Sequence, residues 1–248
     1  MISKSELEKM ARLSSLHLYQ QEKEYLLKLF LFYYYAKFDD AIFKGGTMLR
    51  FVHGLHRFSE DLDFQIKNPS VFKNQVHEVM KAFSQIGIIY TFKREELFED
   101  SYTCEIICKG PCFSGKSQTQ NKFRIDAGYR EKMIKKPVFQ LIKSEYPETK
   151  NAFLVQCMTL EEVLCEKIMA VFTRSKGRDL YDIWFLHNLG VLFDTKILLK
   201  KKKDFTFNFE NIVQKQQYEK DISFLVKTVI PYEQAFAVLR ELMEKFKK

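Results

Sequence analysis

Polar and apolar side chains alternate through Asp61-Leu62-Asp63-Phe64-Gln65-Ile66, the two-residue period of a β-strand with one face buried and the other open. A chain obeying that pattern must build a sheet that is covered on one side. Leu62, Phe64 and Ile66 then enter a core, and Asp61 and Asp63 project together from the opposite face. Two carboxylates so close repel each other unless a cation lies between them. Hard, oxygen-seeking Mg²⁺ is the natural occupant, with Mn²⁺ as its substitute. An isolated Asp-x-Asp can equally be a solvated acidic strand, so the reading depends on what accompanies it.

Two accompanying features lie in order along the chain. Upstream, the apolar run Ala41-Ile42-Phe43 meets Lys44-Gly45-Gly46-Thr47, and a helical stretch from Met48 to His53 follows. Strand, glycine turn and helix together let backbone N–H groups approach a phosphate, and the helix start adds partial positive charge. Thr47 offers a hydroxyl to a phosphate oxygen. Downstream, Lys122 to Tyr129 reads as another strand, with Phe123 and Ile125 on one face and Arg124 and Asp126 on the other. If it pairs beside the first, Asp126 joins Asp61 and Asp63 as a third ligand for two metal ions. Such ions activate an attacking hydroxyl and stabilise a departing pyrophosphate.

The rest of the chain separates by periodicity. Residues Ser3 to about Lys37 predict a helix, capped by Ser3 or Ser5, and Val71 to Ile86 predict an amphipathic one. Ile88 to Lys93 and Ser101 to Lys109 read as strands around an acidic loop, Glu95 to Asp100, and Gly110 to Asn121 as an exposed hairpin loop. After Pro147 the pattern turns helical. Thr159 with Glu162 three residues on has the spacing of a capping box, for a helix running to about Thr173. Ser175-Lys176-Gly177 breaks it, and Arg178 to Asn188 begins another. The expected fold is therefore α+β: a small mixed sheet, then a helical C-terminal half that closes the active-site cleft. The expected division is residues 1–150 as the catalytic domain and 151–248 as the helical one.

Composition narrows the partners. There are 40 Lys and Arg against 32 Asp and Glu, a net charge of +8 that suits an anionic partner such as RNA or a nucleotide. The run Lys200 to Lys203 is the most concentrated basic stretch and is expected to touch RNA. The five cysteines include Cys104, Cys108 and Cys112 at four-residue intervals, but no nearby His completes a zinc spacing. They are expected to be reduced thiols of a cytoplasmic protein, Cys104 and Cys108 sharing one strand face. The N-terminus shows no signal-peptide pattern, and no apolar stretch approaches the ~20 residues that span a bilayer.

Lys44-Gly45-Gly46-Thr47-Met48-Leu49, followed by Arg57-Phe58-Ser59-Glu60-Asp61-Leu62-Asp63-Phe64, resembles the glycine and R-x-S-x-D-x-D-F motifs of the AbiEii/AbiGii-type nucleotidyltransferase toxins, a branch of the polymerase-β-like superfamily. Glu166-Lys167-Ile168-Met169-Ala170 and Arg178-Asp179-Leu180-Tyr181-Asp182 are similar to that family's E-K and R-D-x-x-D motifs. The resemblance spans roughly residues 40 to 190. It implies a polymerase-β-like fold and a Mg²⁺-dependent enzyme that moves a nucleoside monophosphate from an NTP to an acceptor. It further implies a toxin of a toxin–antitoxin or phage-defence system with a cognate antitoxin, and tRNA 3′ ends as the favoured acceptor.

Asp61, Asp63 and Asp126 would hold metal, while Gly45, Gly46, Thr47 and Lys167 would face the nucleotide; Arg57 and Ser59 would support the active-site loop or contact a phosphate as part of the nucleotide site. Lys167 on a helix is a compact cation able to reach a triphosphate, or simply a solvated surface residue. Asp179 and Asp182, three apart, share a helix face, and one of them would orient Lys167 or the acceptor hydroxyl. Two rivals remain in view: an antibiotic-type nucleotidyltransferase acting on a small molecule, and a non-enzymatic binding module on the same fold.

Overall fold

A computed structural model describes residues 1–129 and 133–247 of the chain. Its elements are, in order, α1 (Lys4–Ser14), α2 (Leu18–Tyr35), β1 (Ile42–Lys44), α3 (Gly45–His53), β2 (Asp61–Gln65), α4 (Pro69–Gln85), β3 (Ile89–Leu97), β4 (Ser101–Lys109), β5 (Asn121–Gly128), β6 (Val138–Lys143) and β7 (Ala152–Cys157). Helices α5 (Leu160–Arg174), α6 (Gly177–Asn188), α7 (Thr195–Lys202), α8 (Lys215–Ser223) and α9 (Tyr232–Lys247) complete it. The architecture is α+β, as the periodicity predicts.

The chain forms two compact units. The first contains Met1–Val52, the stretch from Glu60 through β5, and Val138–Cys157. All seven described strands lie in it, as one sheet of order β3-β4-β5-β2-β1-β7-β6. The pairs β2–β5 and β1–β7 are parallel and the others antiparallel, which makes the sheet mixed.

Helix α2 lies against the buried face of this sheet. Its second half is largely apolar, with Leu26, Leu27, Leu29, Phe30, Leu31 and Tyr34 all fully buried, while its first half carries Gln21, Glu22, Lys23 and Glu24 into buried positions. The Phe30 ring sits 6.4 Å from Phe64 on β2 and 6.1 Å from Phe123 on β5. Tyr34 lies 5.9 Å from Phe64 and 5.6 Å from Phe72 on α4. Each such ring removes enough apolar surface from water to contribute roughly 1.5–3 kcal/mol. The abundant Phe and Tyr therefore serve this core.

Three local expectations are corrected. The N-terminal helix is two helices: Ser3 forms a full capping box with Glu6, but Ser15 turns left-handed (φ 56°) and ends α1, and α2 restarts at Leu18. The expected acidic loop Glu95 to Asp100 is shortened to its second half, because β3 continues to Leu97 through a bulge with Arg94 at φ 53°. The sheet gains β6 and β7, and β7 at Ala152–Cys157 carries strand structure beyond residue 150.

The second unit contains His53–Ser59, the described residues up to Pro137, and everything from Met158. Helix α6 is its hub, packing on α5, α8 and α9 with Leu180, Ile183 and Leu186 fully buried. Segment 53–59 is tied in by Phe58 N–H donating to the Leu225 carbonyl at 2.7 Å. Among the described residues no helix is long and apolar enough to cross a membrane.

Candidate active site

In the sheet unit, parallel pairing of β2 with β5 sets Asp61 opposite Arg124 and Asp63 opposite Asp126. Leu62 and Phe64 are buried, and so are Phe123 and Ile125. The intervening side chains therefore stand on the other, open face, where Asp61, Asp63 and Asp126 are each partly exposed. Adjacent strands lie about 4.8 Å apart and alternate residues of one strand about 6.6 Å apart, so the three aspartates are neighbours on this face. Among the described residues no three His, Cys, Asp or Glu side chains are gathered as a ready-made metal cage. The donor set is nonetheless of the kind that suits a hard divalent ion, three carboxylates on one face, with a cation beside Asp126 supplied by the protein itself.

That cation is Arg124. Its Nη2 donates to Asp126 Oδ1 at 2.8 Å. Burial works against its charge, while Asp126, Asp61 and Asp63 favour it, and the balance raises its pKa. The alternation of β5 already places Arg124 beside Asp126; what the sequence reading missed is its role. The signal is the Arg-x-Asp spacing on a strand, which puts a cation next to the third carboxylate.

The glycine motif meets the same carboxylates from β1. Lys44 pairs with Asp63 in the antiparallel β1–β2 ladder, and α3 begins directly at Gly45. Gly45 has φ +80°, and a Cβ built on it would lie 2.2 Å from Asp63 Oδ2. Glycine is required here twice over, for the backbone angle and for the space the Asp63 carboxylate occupies. Thr47, expected at a phosphate, is fully buried, and its Oγ1 donates to the Asp61 carbonyl at 2.5 Å. It fastens the start of α3 to the start of β2.

The second motif block lies wholly in the helical unit, where it forms a buried ion network. Asp182 accepts from Arg57 Nε at 2.6 Å and Nη2 at 2.7 Å. Lys167 Nζ lies 2.9 Å from Asp179 Oδ1 and 2.7 Å from Asp182 Oδ2, bridging the two. Arg174 adds a fork onto Asp179, both bonds at 2.7 Å. Asp179 and Asp182 have no exposed surface, and Arg57 and Lys167 almost none. Burial alone would raise both carboxyls. Arg57 and Lys167 hold Asp182 below its ordinary pKa, and Lys167 and Arg174 do the same for Asp179.

Both aspartates thus act as one anionic centre for three cations, which answers why two carboxylates stand one turn apart. Lys167 is neither a solvated surface lysine nor displayed toward solvent: its ammonium is bound by the pair. Arg57 joins segment 53–59 to α6, and Ser59 stands partly buried at the end of that segment.

The basic run is not one cationic surface. The Lys201 side chain is buried, its Nζ 3.0 Å from Glu162 and 2.9 Å from Glu166, the acidic residue of the E-K motif. Glu162 also accepts the N–H groups of Ile134 and Lys135 at 3.0 Å each. It therefore does not close the expected capping box, and Thr159 makes no side-chain cap bond. All five cysteines are free, with Cys104 and Cys108 both buried on the inner face of β4.

The family model for the nucleotidyl transferase AbiEii toxin of type IV toxin–antitoxin systems matches residues 29–245. An uncharacterized protein of Aquifex aeolicus (strain VF5), aq_aa25, is 23% identical over 209 residues, covering 84% of this chain and 81% of the relative. Among solved structures, the nucleotidyltransferase toxin MenT4 of Mycobacterium tuberculosis H37Rv aligns with TM-score 0.66 at 15% identity, covering 100% of this chain and 90% of that one. JHP933 of Helicobacter pylori aligns with TM-score 0.59 at 20% identity, covering 92% and 93%. At these identities the structural likenesses speak to the fold alone.

Proposed function

Since the chain belongs to the AbiEii family of nucleotidyltransferase toxins of type IV toxin–antitoxin systems, we propose that its sheet unit transfers a nucleoside monophosphate from an NTP to an RNA acceptor, with the 3′ end of tRNA as the favoured target. The observation that carries this reading is the register of Asp61, Asp63 and Asp126 on one open sheet face, beside a helix that starts at Gly45. Mg²⁺, or Mn²⁺ in its place, would be held by those three aspartates; when bound it neutralises triphosphate charge and makes the acceptor hydroxyl easier to deprotonate. Gly45 and Gly46, at the start of α3, are suited to a phosphate approach that larger residues would block. In the transfer the acceptor oxygen bonds to the α-phosphorus, the bond from that phosphorus to the pyrophosphate oxygen breaks, and Asp126 would receive the hydroxyl proton.

The acceptor surface is the weakest part of the notion that Lys200 to Lys203 binds RNA, because Lys201 is consumed inside the helical unit. The open face of the sheet offers a better candidate. In cross-strand order Lys93, Glu105, Arg124 and Asp61 form one row, and Lys122 lies 3.1 Å from Glu105. Lys93, Lys122 and Arg124 are exposed, cations interleaved with the carboxylates where a phosphate backbone would run once metal offsets the aspartates. Those exposed cations favour RNA over a small antibiotic-like acceptor. The ion network of Arg57, Lys167, Asp179 and Asp182 is assigned a positioning role: it fixes the segment that leads into Asp61.

Purified protein incubated with each labelled NTP and total cellular RNA tests the reading. Label should enter RNA with wild type and not with Asp61→Ala. Transfer onto small molecules alone, or label entry unaffected by Asp61→Ala, would overturn it. A growth arrest tied to phage infection would extend the proposal to phage defence.

A further inference from the structure

We propose that Arg124 is an internal counter-ion that occupies the cation position of the carboxylate site, so that a divalent ion reaches Asp126 only when the guanidinium withdraws. The inference rests on the metal-site reading above and adds a competitor to it. Its basis is geometric. Arg124 stands opposite Asp61 across the β2–β5 ladder, two residues before Asp126 on the same strand face. Its guanidinium bonds the carboxylate that completes the trio, at 2.8 Å. Three like charges on one face repel, and the arginine beside Asp126 offsets part of this without any bound ion. The contact is also reversible. The arginine side chain is 54% exposed and that of Asp126 37%, so the guanidinium can swing into water at little cost, as exposed ion pairs do.

Competition of this kind lowers the apparent affinity of the ion by the fraction of molecules in which the arginine is away. Mn²⁺ binding, followed by its electron paramagnetic resonance signal and by the shift in melting temperature, therefore reads the proposal without relying on catalysis. Arg124→Gln should bind Mn²⁺ about fivefold tighter than wild type, and its melting temperature without metal should fall, then rise further on adding Mn²⁺. Two controls separate direct competition from a change in general charge. Lys122→Gln removes a cation from the same face without touching Asp126 and should alter the affinity by less than about twofold. In an Asp126→Asn background, Arg124→Gln should lose most of its effect.

Equal Mn²⁺ affinity in wild type and Arg124→Gln would overturn the counter-ion role, as would an equal gain from Lys122→Gln or an undiminished gain with Asn at 126. Asp61→Ala distinguishes the deeper failure. If it binds Mn²⁺ as wild type does, or if no variant binds at all, the metal site itself is wrong and the competitor falls with it. If Asp61→Ala abolishes binding while Arg124→Gln changes nothing, only the counter-ion is refuted.

Discussion

Replacing Gly45 with alanine adds one methyl group at the point where the glycine motif meets the carboxylate site. Two costs follow from the structure. Gly45 has φ +80°, a region in which an L-residue costs about 1–2 kcal/mol relative to its ordinary conformations. The new Cβ would lie 2.2 Å from Asp63 Oδ2, whereas non-bonded heavy atoms settle at roughly 3.5 Å, so the carboxylate or the helix start must move by about 1 Å or more. The carboxylate is partly exposed and can turn aside, so the fold survives; at roughly 2–4 °C per kcal/mol the melting temperature should fall by about 2–8 °C. Catalysis has less latitude. A ligand displaced by about 1 Å costs on the order of 10²-fold in rate.

The assay pairs a melting curve with the rate of labelled-NMP transfer into RNA. The expected signature is a small loss of stability with a large loss of rate. A Gly45→Ala protein that transfers at the wild-type rate would refute the claim that close packing of this glycine on Asp63 sets the position of the carboxylate. A protein that fails to fold would refute the partition between the two costs.

The other predictions concern the remaining charges. Asp61→Ala should stay folded, lose on the order of 10²-fold or more in rate, and no longer arrest growth; persistent arrest by a folded Asp61→Ala protein would mean that toxicity does not arise from transfer. Lys167→Ala leaves two buried carboxylates facing each other, which typically costs about 3–5 kcal/mol and should lower the melting temperature by roughly 6–20 °C; an unchanged melting curve with weakened NTP binding would instead assign Lys167 to the triphosphate. Asp179 and Asp182 have folded pKa values below their unfolded ones, so their stabilisation is complete above about pH 4 and is lost as pH falls through the folded values. Wild type should accordingly lose stability between about pH 4 and pH 2 more steeply than Asp182→Asn does in acid titrations of the melting temperature. Finally, Lys93→Glu with Lys122→Glu should weaken RNA binding and flatten its dependence on salt, since each lost phosphate contact lowers the slope by about one; an unchanged slope would move the RNA surface elsewhere.

What the sequence disclosed and what it hid divide along physical lines. Strict alternation through Asp61–Ile66 and Phe123–Asp126 puts Asp61 and Asp63 on one face of their strand and Asp126 opposite Phe123 and Ile125 on its own, because a strand's side-chain period leaves no freedom; the parallel pairing that aligns them appears only in the fold. The paired strands β6 and β7 escaped because their pattern does not alternate cleanly: Phe139, Leu141 and Leu154 are exposed although apolar. The break between α1 and α2 escaped for another reason. Ser15 is an ordinary helix-compatible residue whose left-handed backbone follows from the chain's need to turn. Charged side chains were the hardest to read. Lysines in a run look solvated, yet the Lys201 side chain is buried because Glu162 and Glu166, far off in sequence, wait for it.

The motif Arg57-x-Ser59-x-Asp61-x-Asp63 carries that lesson furthest. In sequence it is a single signature, with the arginine and serine expected to support the loop that carries the aspartates or to contact a phosphate. In the fold its first half belongs to the helical unit, with Arg57 locked bidentately onto Asp182. Its second half belongs to the sheet unit, with Asp61 and Asp63 facing Arg124 and Asp126. Three residues separate Arg57, bound to Asp182 in the helical unit, from Asp61, which opens β2 in the sheet unit. Arg57→Ala leaves the buried Asp182 with one cation fewer, which should cost about 3–5 kcal/mol and lower the melting temperature. An unchanged melting temperature with weakened NTP binding would instead assign Arg57 to the nucleotide.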